Sequence, residues 1–200
     1  GDDRRPKKRS KRATLAEARN RDPRLQARYD GYLAQGFSDK QAELAAADHP
    51  TADFVDGALK GGAGVSELGK WFANALPAAL AGRELSDSSL EPQAFGALVA
   101  LVSDGRISGR VGKELLEELV EKGGNPEQLV ETRGLEQVAD AGAIAPLIDE
   151  IIEKHPDQVA SYQAGKVSVF GFLVGQVMKA SRGAANPKLV NELLRNRLDM

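Results

Sequence analysis

Gly64, Gly69 and Lys70, in the stretch GVSELGKW, repeat most of the spacing of a loop that cradles nucleotide phosphates. That chemistry needs a Ser or Thr hydroxyl for magnesium directly after the lysine, and Trp71 stands there instead. A helical pattern rather than a strand precedes it. The two glycines are therefore expected to flank a helix start, with Lys70 exposed, and no nucleotide is expected. The two histidines, His49 and His155, each precede a proline and have no Asp or Glu at ligand spacing, so no metal is expected. Glu114, Glu117, Glu118 and Glu121 lie opposite the Leu115, Leu116 and Leu119 stripe of one helix, with Glu118 and Lys122 at i,i+4. This is a solvated face, without a nucleophile–base pair or an apolar pocket around paired carboxylates. The chain by itself is expected to be no enzyme and to carry no cofactor.

The remaining chemistry is positive charge around one corner, VGQVMKASRGAANPKLVNELL. Lys179 and Arg182 end one helix, where the dipole favours cations. Asn186 caps the next and Pro187 takes its first position. Lys188 sits beside that start, Arg195 and Arg197 follow along it, and Lys166 precedes the first helix. The helix start is expected to present free amides, a natural anion site. Cations around such a start can grip a phosphate backbone. Dipole compensation with solubility accounts for the same residues.

These residues need elements to hold them, and the whole chain supplies helices. Asp22-Pro23 reads as cap and first-turn proline of a helix through about Gln35. Ser38 and Gln41 form a capping box for a helix through about Ala47. Helices follow near Thr51–Leu59, Val65–Ala81, where Pro77 should kink or end the helix, Pro92–Val102, Arg110–Lys122, and after Asn125-Pro126. A short one is expected over Leu135–Ala139. Ile144, Leu147, Ile148, Ile151 and Ile152 form an amphipathic stripe. A final pair covers Lys166–Ser181 and Pro187–Leu198. In the first of these, Phe170, Leu173, Val174 and Val177 face the core. Gly171 and Gly175 are expected to let another backbone pack closely. Trp71, Phe72, Leu76 and Leu80 are expected in the core. No alternating run of strand length competes, so the class is all-α. Two helical units are expected, the second ending in a three-helix tail. The divisions are a disordered polybasic linker over 1–14, a helical domain over 15–90, a helical part over 91–140, and the tail over 141–200.

Net charge is −2, but its distribution is uneven. Residues 1–12 hold seven Lys/Arg against Asp2 and Asp3; residues 84–158 hold 16 acids and six bases; residues 161–200 hold six bases against Glu192 and Asp199. A charged arm without apolar residues cannot bury surface. It is either a solvated tether or a basic arm for phosphates. The absence of cysteine excludes disulfides and suits a reducing, cytoplasmic setting. The longest apolar stretch, Val167–Met178, has 12 residues where a membrane span needs about 20. Aromatics are only 5 % of the chain, which disfavours stacking on single-stranded bases as the main mode. The first residue is Gly, and a piece of something longer is expected.

The stretches DGRISGRVGKELLEELVEKGGNPEQLVETRGLEQVAD and YQAGKVSVFGFLVGQVMKASRGAANPKLVNELLRNRL closely resemble the C-terminal region of the GatB subunit of aspartyl/glutamyl-tRNA amidotransferase, in the GatB/YqeY family. The ISG turn, the GG-x-P turn, GLEQV, AGK, GFLVGQVMK and ANPKLVNELL come in family order over residues 91–200. Residues 22–88 resemble the preceding helical domain more weakly, through LAAAD and the following Asp53-Phe54. The resemblance implies a non-catalytic region that binds the outer corner of a tRNA. It places contacts near Gly165, Lys166, Lys179, Gly183, Asn186, Pro187 and Lys188, with Arg182 a conservative basic variant. The family's catalytic cradle is absent, and a polybasic stretch replaces the connection into the helical domain.

The resemblance also includes glutaminyl-tRNA synthetases with such a C-terminal extension. The expected function is thus a tRNA-binding appendage that raises the affinity of a covalently attached glutaminyl-tRNA synthetase for its tRNA, tRNA-Gln. The expected contacts are Lys166, Lys179, Arg182, Asn186, Lys188, Arg195 and Arg197. A C-terminal fragment of the amidotransferase GatB subunit is the alternative, and a protein-docking helical module is an alternative of another class.

Overall fold

The computed structural model describes residues 11–200. Among them the elements are helices, with one isolated bridge and no strand. The chain forms two compact units. One takes residues up to Ser103 with Gly112–Glu127, and the other takes Asp104–Val111 with Gln128–Met200. This division differs from the expected boundary near residue 90, because the helix after that point packs into the first unit. The expected linker over 1–14 lies outside the described residues up to position 10, and from Lys11 the backbone is helical.

The first unit begins with α1 (Lys11–Arg21), α2 (Pro23–Gln35), α3 (Asp39–Ala45) and α4 (His49–Leu59). Local signals set their ends. Asp22 accepts hydrogen bonds from the Arg24 and Leu25 amides, and Gly36 closes α2 in the left-handed region at φ 110°. Ser38 and Gln41 make the reciprocal capping box. Asp48 accepts from the Thr51 amide at 2.7 Å, and His49-Pro50 opens α4. Polar groups then tie α2 to α4. His49 Nε2 lies 2.7 Å from Asp22 Oδ2, and Arg28 pairs with Asp53 at 2.5 Å. The Tyr32 hydroxyl lies 2.8 Å from Asp56 Oδ1 and 3.0 Å from the Ala52 carbonyl. The His49 hydrogen bond, and next the Leu25 amide, hold the Asp22 carboxyl below its ordinary pKa. Burial, then Asp56, pushes the Tyr32 phenol well above its ordinary value.

Pro77 neither ends nor breaks its helix. α5 (Val65–Lys70) passes through a π-helical turn, Trp71–Ala75, into α6 (Leu76–Leu80). The Leu76 amide donates five residues back to Trp71 O, and the wider turn accommodates the proline that cannot donate. Phe72 and Leu76 are buried as expected, while Trp71 and Leu80 are half-buried. α7 (Pro92–Ser103) and α8 (Gly109–Lys122) follow. α4 and α7 meet backbone to backbone. A Cβ on Gly96 would lie 1.9 Å from Ala58 O, one on Gly61 2.6 Å from Gln93 O, and one on Gly57 2.6 Å from the Pro92 ring. Phe54 and Phe95 pack beside this contact at 5.7 Å.

After α9 (Pro126–Arg133), the second unit is dominated by α10 (Ala141–Lys154), α11 (Pro156–Gln163), α12 (Val169–Ala180) and α13 (Pro187–Leu198). The tail has four helices rather than the expected three, because Pro156 opens an eight-residue helix in what reads as a connection. Its core is Ile144, Ile148 and Ile151 from α10, Phe170, Leu173 and Val177 from α12, and Val190, Leu194 and Leu198 from α13. Each such side chain stabilises the bundle by about 1.5–3 kcal/mol relative to exposure.

Residues 135–139 are not the expected short helix. Their backbone groups bond across the unit instead. The Gln137 amide donates to Arg106 O, Val138 donates to Ala184 O, and Asn186 donates back to Val138 O.

Candidate nucleic-acid interface

The basic corner is built on this tail core. Lys179 occupies the last turn of α12 and is exposed. The chain then turns through Ser181–Asn186 on internal hydrogen bonds. Arg182 and Gly183 both take left-handed conformations, at φ 54° and 76°. Their amides donate to Lys179 O and Met178 O, Ala184 donates to Ser181 O, and Ala185 donates to Ser181 Oγ. A left-handed arginine costs about 1–2 kcal/mol, so the turn holds Arg182 against its own preference.

Asn186 is engaged at both ends of its side chain. Its Oδ1 accepts from the Leu189 amide at 3.1 Å, and its Nδ2 donates to Gly105 O at 3.2 Å. It therefore caps α13 and fastens the turn to the 104–111 segment. This changes the expected anion site at the helix start. Pro187 has no N–H, and the Leu189 N–H is taken by the cap. Among the first three helical positions only Lys188 offers an N–H toward a ligand. Charge, rather than a row of free amides, is what this end of α13 presents.

The structure sorts the seven expected contact residues into two groups. Lys166, Lys179, Arg182 and Lys188 are exposed and make no ion pair among the described residues. Asn186, Arg195 and Arg197 are engaged within the unit. Arg195 stacks over the Phe170 ring at 5.2 Å, and Arg197 pairs with Asp149 at 3.1 Å. From position 158 to 191 the chain has no Asp or Glu, so the four unpaired cations face no acid of their own stretch.

Two residues escape the sequence reading. Phe172 and Val167 are 43 % and 70 % exposed, and neither is among the residues singled out from the sequence. The signal was present: Phe172 falls off the 170, 173, 177 stripe. Gly171 and Gly175 differ from expectation too, since a Cβ added at either would meet nothing within 4 Å.

The other motifs do different work. Gly64 is the N-cap of α5, Gly69 is buried against the Gln41 side chain, and Lys70 pairs with Glu67 at 2.6 Å. His155 sits between α10 and α11 with its ring edge-on to Phe172 at 5.3 Å. Among the described residues, no three His, Asp or Glu side chains gather as a metal site.

The GatB domain profile matches residues 53–198. The chain belongs to the GatB/YqeY family. It is 44 % identical over 167 residues to the GatB subunit of an aspartyl/glutamyl-tRNA(Asn/Gln) amidotransferase from Alkalilimnicola ehrlichii, covering 82 % of this chain and 35 % of the relative. The corresponding subunit of Geobacter sulfurreducens is 40 % identical over 165 residues, covering 82 % and 34 %. That of Trichodesmium erythraeum is 37 % identical over 166 residues, covering 82 % and 34 %. The chain thus spans about a third of the length of these relatives. In this GatB/YqeY chain the profile match includes both the α4–α7 contact and the cationic corner. No helix among the described residues is long and apolar enough to cross a membrane.

Proposed function

We propose that this chain is a non-catalytic tRNA-binding module, whose tail holds the phosphate backbone at the outer corner of a folded tRNA. The observation that carries this is the set Lys166, Lys179, Arg182 and Lys188, exposed and unpaired in a stretch without acids. Structured RNA is read largely through shape and sugar–phosphate contacts, which suits a stiff turn bearing cations. The module would raise the tRNA affinity of the larger enzyme that contains it.

For that enzyme, the names of the relatives favour the GatB subunit of an amidotransferase. The seven Lys/Arg of residues 1–12 favour a second reading, the C-terminal appendage of a glutaminyl-tRNA synthetase, with tRNA-Gln as partner. A tether there would raise the effective tRNA concentration at the catalytic body.

Titration of a tRNA-Gln transcript against the 200-residue chain at several salt concentrations tests the binding. Binding should weaken with salt, and each phosphate contact should contribute about 0.7–0.9 to the log–log slope. Lys179→Glu with Lys188→Glu should flatten that slope and weaken binding, with the melting temperature nearly unchanged because both residues are exposed. No binding at low salt would exclude this reading and favour a protein-docking module.

A further inference from the structure

We propose that the solvent face of α12 is an apolar half of the same RNA contact, packing against ribose and base surface while the neighbouring cations hold phosphates. This deepens the tRNA-binding reading and rests on it. The four large hydrophobic residues exposed among the described residues, Val138, Val167, Phe172 and Met200, all belong to the second unit. Two of them lie along one short path: Val167 in the turn before α12 and Phe172 in its first turn. His155 meets the Phe172 ring edge-on at 5.3 Å.

The rest of this face is equally unpartnered. Gly171, Gly175 and Lys179 follow one another at four-residue spacing, which places them on one side of the helix. All three are exposed. Each glycine lowers helix propensity, and no neighbour among the described residues needs the missing Cβ.

Charge selects the occupant. The face starts at Lys166, ends at Lys179 and Arg182, and lies in a stretch with no Asp or Glu. Such a rim fits a polyanion with exposed ring surface. Base contact with an aromatic is tolerant of sequence because every base has a π-face. Without side chains at 171 and 175, a ribose or base can reach the helix backbone beside Phe172.

The test uses the whole chain, a tRNA-Gln transcript and binding curves across salt. Phe172→Ala should lower affinity about fivefold or more with the salt slope unchanged, since no phosphate contact is removed. The double variant Gly171→Ala, Gly175→Ala should melt at a higher temperature and yet bind more weakly. Higher stability with weaker binding is an outcome that damage to the fold cannot imitate.

If both variants bind like the parent while Lys179→Glu, Lys188→Glu is weakened, this inference fails and the tRNA-binding reading stands. If Phe172→Ala changes self-association in sedimentation but leaves RNA affinity untouched, the face is a protein contact and the inference is overturned. A parent chain that binds no RNA removes both readings.

Discussion

Two glycine pairs in this chain have the same spacing and opposite surroundings. Gly57 and Gly61 are four apart, and so are Gly171 and Gly175. At the first pair an added Cβ would lie 2.6 Å from another element; at the second it would meet nothing within 4 Å. In the first unit the absent side chains let α4 and α7 touch, with Gly96 completing the contact. In the tail they leave a helix face bare. Small residues at i and i+4 permit a close approach, but the spacing does not say whether the approaching partner belongs to the same chain.

The sharpest way to break this comparison is to fill one side of it. Gly96→Ala should cost about 3 kcal/mol or more, because the new methyl meets the backbone carbonyl of Ala58 rather than a yielding side chain. Chemical denaturation measures the loss, and a change under about 1 kcal/mol would mean that α4 and α7 are not in backbone contact. Next in size, Asn186→Ala should cost about 1–2 kcal/mol by removing the α13 cap and the bond to Gly105. Asn186→Asp should retain the capping oxygen and lose only the Gly105 bond, so its melt should fall between the two. Gly175→Ala should move the other way, stabilising by up to about 1 kcal/mol. If it destabilises instead, some element covers that face in solution.

Two further effects come from pH. Tyr32 has its pKa raised by folding. Its contribution is fully present below about pH 10, the ordinary phenol value, and is lost as pH rises toward the folded value. Melting temperatures above about pH 10 should fall more steeply for the parent than for Tyr32→Phe. Asp22 is the reverse case: its pKa is lowered, so its contribution is present above about pH 4 and fades as pH falls through the folded value. Melts between about pH 5 and 2 on Asp22→Asn should show a shallower acid limb than the parent.

Much of the fold was legible because it is local. Asp22-Pro23, Ser38 with Gln41, and Asn186-Pro187 act within three or four residues of themselves, and each marks a helix start in the structure. The 170, 173, 177 stripe found the tail core for the same reason. What the sequence hid is non-local. Residues 135–139 have enough helix formers to suggest a helix. Their amides and carbonyls instead bond to Arg106, Ala184 and Asn186, partners that only the folded unit brings near. At Pro77 the sequence marks a disturbance but not its form: a π turn one step earlier accommodates the missing donor, and the helix goes on to Leu80.

The candidate site divides the same way. Charge showed where the cations are, but not that Arg197 is engaged by Asp149 and Arg195 by Phe170. Proline and the Asn186 cap remove two of the amides expected to hold an anion.

The inward bonding of the 181–186 turn has a consequence for how selective this corner can be. Ser181 Oγ, the amides of residues 182–185 and both ends of the Asn186 side chain are all engaged inside the domain. The loop therefore has few ways to remould itself around an incoming molecule, and the loss of its freedom is met during folding rather than at encounter. A stiff template of this kind favours ligands that already hold a matching contour and penalises those that must be straightened or bent to fit.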